Sequence, residues 1–148
     1  MLPRLIVAFG TRRERFQSAA ELAAYSGIAP VCRQSGHSKS VVFRRACPQF
    51  LRQTFHEFAA CSLRSSVWAG AFYRTQRGQG KRHHAAVRAL AFKWIRILFR
   101  CWQQRTPYHE ARYLEVLRRR GSPLVAPFAA SSTTAIDRAS VPDLNAAD

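Results

Sequence analysis

His83-His84-Ala85-Ala86-Val87-Arg88-Ala89-Leu90-Ala91-Phe92-Lys93-Trp94-Ile95-Arg96-Ile97-Leu98-Phe99-Arg100-Cys101-Trp102-Gln103 is the stretch that decides the fold class. Val87, Leu90, Ala91, Trp94, Ile95, Leu98 and Trp102 recur every three or four residues. Arg88, Lys93, Arg96, Arg100 and Arg105 crowd the remaining positions. One apolar stripe on a long helix, from about His83 to Gln103, follows from that spacing. Lys93, Arg96 and Arg100 interrupt the apolar run, so it packs in a core and does not span a membrane.

The flanking segments read the same way. Phe50, Leu51, Phe55, Phe58 and Ala59 line a second amphipathic helix, with Pro48 as its first residue. Ser65 or Ser66 caps a third helix containing Trp68, Ala69, Phe72 and Tyr73. Thr106-Pro107 starts a last helix that ends at Gly121 after Arg118-Arg119-Arg120. Upstream, residues 3–10 form a helix stopped by Gly10, and Ser18 with Glu21 makes a capping box for a short helix ending at Gly27. After Gly121 the chain turns to Ala, Ser, Thr, Pro and Asp without a period, which predicts a disordered tail. The fold class is mainly α: a small helical domain with a basic serine-containing loop and a disordered C-terminal tail.

The charge is unusual for a chain of 148 residues, with 24 basic and 8 acidic residues and a net of +16. Residues 1–121 carry +18, and residues 122–148 carry −2. A folded body so basic calls for a polyanion, and nucleic acid is the usual one. Arginine outnumbers lysine 21 to 3, which suits bidentate phosphate contacts. Cys32, Cys47, Cys61 and Cys101 form no C-x-x-C pair and have no histidine at zinc-ligand spacing. They read as reduced, mostly buried thiols of a cytosolic protein. Leu5 to Phe9 is too short for a signal-peptide core, and Arg12, Arg13 and Arg15 follow it instead of preceding it. The expected location is the cytosol.

The chemistry-bearing segment is residues 28–45. Ile28-Ala29-Pro30-Val31-Cys32 leads into a loop, Arg33-Gln34-Ser35-Gly36-His37-Ser38-Lys39-Ser40, and then Val41-Val42-Phe43-Arg44-Arg45. No acidic residue lies between Glu21 and Glu57. Hydroxyls, glycine amides and the cations Arg33, Lys39, Arg44 and Arg45 together suit a phosphate. A serine among arginines can also attack a phosphodiester. His37 is a general base or phosphate holder, or else a solvated loop histidine. A basic surface loop without chemistry is the plain alternative. The turn Arg77-Gly78-Gln79-Gly80-Lys81-Arg82 and the run Arg118-Arg119-Arg120 are further basic candidates for nucleic acid. His83 and His84 are adjacent, so they point to different sides of a helix and read as the start of a basic helix. His56 and His109 read as ordinary helix residues. Tyr108 and Tyr113 are possible base-stacking rings.

Two-metal nuclease chemistry needs clustered carboxylates. Residues 1–136 contain no aspartate, and Glu14, Glu21, Glu57, Glu110 and Glu115 are far apart, which argues against a metal site within this chain.

Ser18-Ala19-Ala20-Glu21-Leu22-Ala23-Ala24-Tyr25-Ser26-Gly27-Ile28-Ala29-Pro30, followed by Arg33-Gln34-Ser35-Gly36-His37-Ser38, resembles a known family. It is similar to the C-terminal domain of the DEDD transposases of bacterial insertion sequences, the "one-ten" family guided by a bridge RNA. The shared pattern is a phenylalanine (Phe16), a helix ending in Y-x-G-[IL]-A-P, a loop with S-G-x-S, and a basic helical region. Gly80 to Trp94 looks like the family's later helix, and the resemblance covers about residues 3–121. It implies DNA as partner, with guide RNA and full-length transposase subunits beside it. By motif position it implies Ser35 as the nucleophile that becomes joined to DNA, with Ser38 second. Arg33, His37 and Lys39 are phosphate partners by proximity alone. It also implies a divalent metal held by a separate ribonuclease-H-like carboxylate domain, for which this chain shows no residues. The expected organisation is residues 1–15 as the remnant of a helix-hairpin-helix, 16–121 as the transposase-like helical domain and 122–148 as the tail. The expected function is that of a truncated transposase domain in DNA transposition, inactive alone. A stand-alone nucleic-acid-binding repressor or competitor of a full-length transposase fits the same residues.

Overall fold

The computed structural model describes residues 2–42 and 44–124. Six α-helices and one two-stranded hairpin make up the described residues: α1 (Leu2–Phe9), α2 (Ala19–Tyr25), β1 (Val31–Ser35), β2 (Ser38–Val42), α3 (Gln49–Ser65), α4 (Val67–Gly78), α5 (His83–Gln104) and α6 (Glu110–Arg119). A 3-10 turn covers Arg13–Arg15. The chain divides into a unit of residues 1–109 and a second unit from Glu110 on.

In the first unit α3, α4 and α5 pack on one another, with α1 against α3 and α2 against α5. The stripe expected on α5 is the centre of that core. Val87, Leu90, Ala91, Trp94 and Ile95 are buried, beside Leu51, Phe55 and Ala59 of α3 and Trp68 and Ala69 of α4. Trp94 organises the middle. Its ring lies 4.8 Å from Trp68, 5.1 Å edge-on from Phe58 and 5.1 Å from Tyr108. Its indole N–H donates to Ser62 Oγ at 2.8 Å, and Ser62 donates to the Ala59 carbonyl at 2.7 Å. A buried indole N–H thus keeps a partner, as burial demands.

Residues near the start of the chain close the core at the far end of α5. Phe9 packs edge-on against Phe55 at 5.7 Å and against Trp102 at 5.5 Å. Trp102 Nε1 donates to the Gly10 carbonyl at 3.3 Å, and Gln103 Nε2 donates to the carbonyls of Arg13 and Phe16. Arg4 pairs with Glu57 of α3 and stands over the Phe50 ring.

Several expectations are refined. Ser18 Oγ accepts from the Glu21 N–H at 3.1 Å, but Glu21 reaches back to the N–H of Gln17, one residue before the cap. Ser66 is the single extended residue between α3 and α4. The last helix begins at Glu110, not at Thr106-Pro107. The reason lies at Tyr108, whose hydroxyl accepts from Trp68 Nε1 at 2.7 Å while its ring packs on Trp94. That docking holds Tyr108 as a half-buried ring against Trp94. The cysteines are free but not mostly buried: Cys32 and Cys61 are exposed, and Cys47 and Cys101 are half-buried. Cys32 sits on a hairpin in solvent and Cys61 on the outer side of α3, while burial pushes the Cys101 thiol pKa up. Residues 125–148 of the expected tail lie outside the described residues.

Candidate functional site

The segment expected to be a loop is an antiparallel hairpin. Val31 pairs with Val42, Cys32 with Val41, Arg33 with Ser40, Gln34 with Lys39 and Ser35 with Ser38. Only Gly36 and His37 remain for the turn. Gly36 has φ +55, and among the described residues the only non-glycine with positive φ is Arg105. A two-residue turn with glycine in the first central position is the II′ hairpin turn, whose twist matches that of paired strands.

The register fixes what the tip offers. Directly opposed residues project to one face with Cβ atoms about 5 Å apart. Ser35 and Ser38 are therefore a side-by-side hydroxyl pair at the end of the ribbon. Positions alternate, so Ser40 shares their face, while Gln34 and position 39 belong to the other. The side chains of Arg33 and Lys39 lie outside the described residues. Every described side chain from Cys32 to Val41 is exposed, and Val41 reaches 67%. Arg44 and Arg45 follow β2 and are also exposed.

The base of the ribbon is fixed. α2 ends with the Ile28 N–H on the Ala23 carbonyl at 3.0 Å and the Gly27 N–H on the Ala24 carbonyl at 3.1 Å. Gly27 has φ +70. This is a Schellman end, with Ile28 as its apolar plug, 1% exposed. A Cβ on Gly27 would fall 2.4 Å from Cys47 Sγ and 2.9 Å from its Cβ. Tyr25 packs on Phe16 at 5.7 Å, with the Arg15 guanidinium over both rings. The Y-x-G-I-A-P stretch is thus a helix terminator and anchor that holds the hairpin away from the core.

The chain is similar to transposases along this segment. The model of the Transposase IS116/IS110/IS902 family matches residues 1–74, which contain the whole hairpin and its anchor. The chain belongs to this family. It is 34% identical over 109 residues to the mini-circle putative transposase for IS117 of Streptomyces coelicolor, covering 74% of this chain and 26% of that protein. It is 33% identical over 107 residues to the insertion element IS900 uncharacterized 42 kDa protein of Mycobacterium paratuberculosis, covering 72% of this chain and 27% of that protein. A third relative, the insertion element IS110 uncharacterized 43.6 kDa protein of Streptomyces coelicolor, is 33% identical over 100 residues. The chain spans about a quarter of the length of these relatives.

The remaining expected site residues lie on other elements of the chain. Lys81 and Arg82 join α4 to α5, and Lys81 Nζ is held by the Gln76 side-chain oxygen. Arg118 and Arg119 of α6 both pair with Glu115, at 3.2 and 3.1 Å, and Arg120 is exposed. Carboxylates fare likewise. Glu57 bonds Arg4 and Gln53, Glu21 caps α2, and Glu115 holds two arginines. Among the described residues no three His, Cys, Asp or Glu side chains could hold a metal together. The described residues therefore offer no donor set for the divalent metal that the family resemblance implies. No helix among the described residues is long and apolar enough to cross a membrane.

The sequence reading missed one group. His56 of α3 meets His84 of α5 with ring centroids 5.7 Å apart, and His83 lies beside them. No pattern along the chain signals this, because it depends on how α3 and α5 are registered.

Proposed function

We propose that this chain is the nucleic-acid-engaging part of a transposase, with the hairpin tip as its reactive element. The observation that carries the reading is the exposed Ser35–Ser38 pair on a pinned ribbon in a body of net charge +18 over residues 1–121. A two-stranded ribbon has the dimensions to enter the major groove of B-form DNA. Two hydroxyls on Cβ atoms about 5 Å apart can share one phosphate, one attacking phosphorus while the other holds a non-bridging oxygen. In that step the Ser35 Oγ–P bond forms and the ester P–O bond to one sugar breaks. The hydroxyl proton passes to a base, and the departing sugar oxygen takes a proton. The reading assigns placement of the phosphate and stabilisation of the developing charge to groups supplied from outside this chain. A carboxylate-bearing transposase subunit with its metal, and a guide RNA, are the proposed suppliers. His37 is the proposed proton acceptor nearest the pair in the chain.

The test is a denaturing gel with labelled target DNA. The chain alone should bind DNA in a salt-dependent way and leave no covalent adduct. With a carboxylate-bearing family member and its RNA added, an adduct should form and be lost in Ser35→Ala. An adduct from the isolated chain would refute the dependence. One that survives Ser35→Ala but not Ser38→Ala would move the nucleophile across the turn. Absence of DNA binding at low salt would refute the reading as a whole.

A further inference from the structure

Three helices bring titratable groups together at the start of α5, away from the serine pair in sequence. His56 of α3 stacks on His84 at 5.7 Å with 33° between the rings. His83 meets His84 at 5.1 Å, and its Nδ1 hydrogen-bonds the Tyr73 hydroxyl of α4 at 2.8 Å. Arg52 lies one turn before His56 on α3, and Arg88 one turn after His84 on α5. α3 and α5 therefore each contribute one arginine and one stacked histidine to the same interface. The two arginines are near enough that Arg52 depresses the pKa of Arg88, after burial as the larger cause. Lys81 and Arg82 lead into this group, while Glu57, the next residue on α3, is held by Arg4.

Such a set has one sign when protonated. Burial first, then the charges of His84, Arg88 and His83, hold the His56 pKa below its ordinary value. Packing stacked neutral imidazoles between arginines costs little only while the rings stay neutral. An anion changes the balance. A phosphodiester accepts from guanidinium forks and imidazole N–H groups at once, and it favours the charged form of each ring.

We propose that His56, His83 and His84, with Arg52 and Arg88, form a proton-linked binding site for a phosphodiester of nucleic acid. The inference rests on the nucleic-acid reading above and adds a second contact that tightens as pH falls. Each proton taken up on binding can strengthen affinity by at most about tenfold per pH unit.

The test is fluorescence anisotropy with labelled duplex DNA, and in a parallel arm with a stem-loop RNA, at fixed ionic strength from about pH 8 to about pH 5.5, the range in which histidine titrates. The wild-type chain should bind about tenfold or more tighter at the acid end. The variant His56→Gln/His83→Gln/His84→Gln should lose that gain and keep the salt-dependent binding seen at pH 8. His37 and His109 stay in the variant, so a gain that survives it belongs to them and overturns the proposal. A flat wild-type profile with salt-dependent binding also overturns it, while leaving the nucleic-acid reading intact. No binding at any pH overturns both. A pH gain on either polymer supports the site, and its size on each identifies the polymer that supplies the phosphate. Imidazole proton resonances of the wild-type chain give a readout independent of any variant. A short duplex should raise the titration midpoints of His56, His83 and His84, and unmoved midpoints would overturn the assignment.

Discussion

Gly27→Ala is the most demanding perturbation of the hairpin anchor. At φ +70 an L-residue pays about 1–2 kcal/mol of left-handed strain. The new Cβ would also stand 2.4 Å from Cys47 Sγ and 2.9 Å from its Cβ, so the chain following β2 must move. Overpacking of this kind costs about 1–3 kcal/mol. Reduced freedom of the unfolded chain returns about 0.5–1 kcal/mol. The net expectation is a loss of about 2–4 kcal/mol. Urea unfolding followed by tryptophan emission measures it, because Trp68 and Trp94 are buried in the core. The midpoint should fall at unchanged slope. A cycle separates the two causes. Cys47→Gly clears both contacts, so Gly27→Ala in that background should cost only the strain less the same return, about 0–1.5 kcal/mol. Cys47→Ala leaves the 2.9 Å contact and should recover only part. A Gly27→Ala chain within about 0.5 kcal/mol of wild type, or an equal penalty in both backgrounds, would refute this account of the anchor.

Three other outcomes are expected. Arg105 closes α5 at φ 53 without being glycine. Arg105→Gly should therefore raise stability by about 1 kcal/mol in thermal unfolding. Ser62→Ala leaves the buried Trp94 N–H unpaired and should cost about 1–3 kcal/mol in the same assay, whereas an unchanged midpoint would show that the indole finds another acceptor. The lowered His56 pKa means that the unfolded chain binds this proton more readily than the folded one. Stability should thus be full above about pH 6.5 and decline as pH falls through the folded-state value. His56→Gln should flatten that decline, and an unaltered acid limb would place its cause elsewhere.

The helices were legible because their signals are local and redundant. The α5 stripe, the Ser18 cap and the Gly27 stop each follow from spacing within a few residues. The hairpin was not legible, for a physical reason. Alternation betrays a strand only when one face is buried, and both faces of Val31–Val42 meet solvent. Its Gly36-His37 turn also lacks the Asn-Gly or Asp-Gly pattern that marks tight hairpins. Ser35 and Ser38 could be picked out as residues, but their pairing across two strands could not. Tyr108 misled because an exposed-looking aromatic after a proline gives no hint of a partner 40 residues away. The histidine group was hidden by the same non-local geometry.

The bonds from Trp102 and Gln103 back to residues 10–16 set an order of events during synthesis. Gly10 precedes its indole partner by 92 positions. At about 5–20 residues per second, α1 waits roughly 5–20 s for its seat to be translated. Its contacts with α3 can form earlier, but its seat is complete only once α5 has been made. During that interval Leu5, Ala8 and Phe9, buried in the finished chain, have only α3 to cover them. The emerging chain therefore presents a short apolar helix to the ribosome surface and to chaperones, and closes over it only when the last turn of α5 arrives.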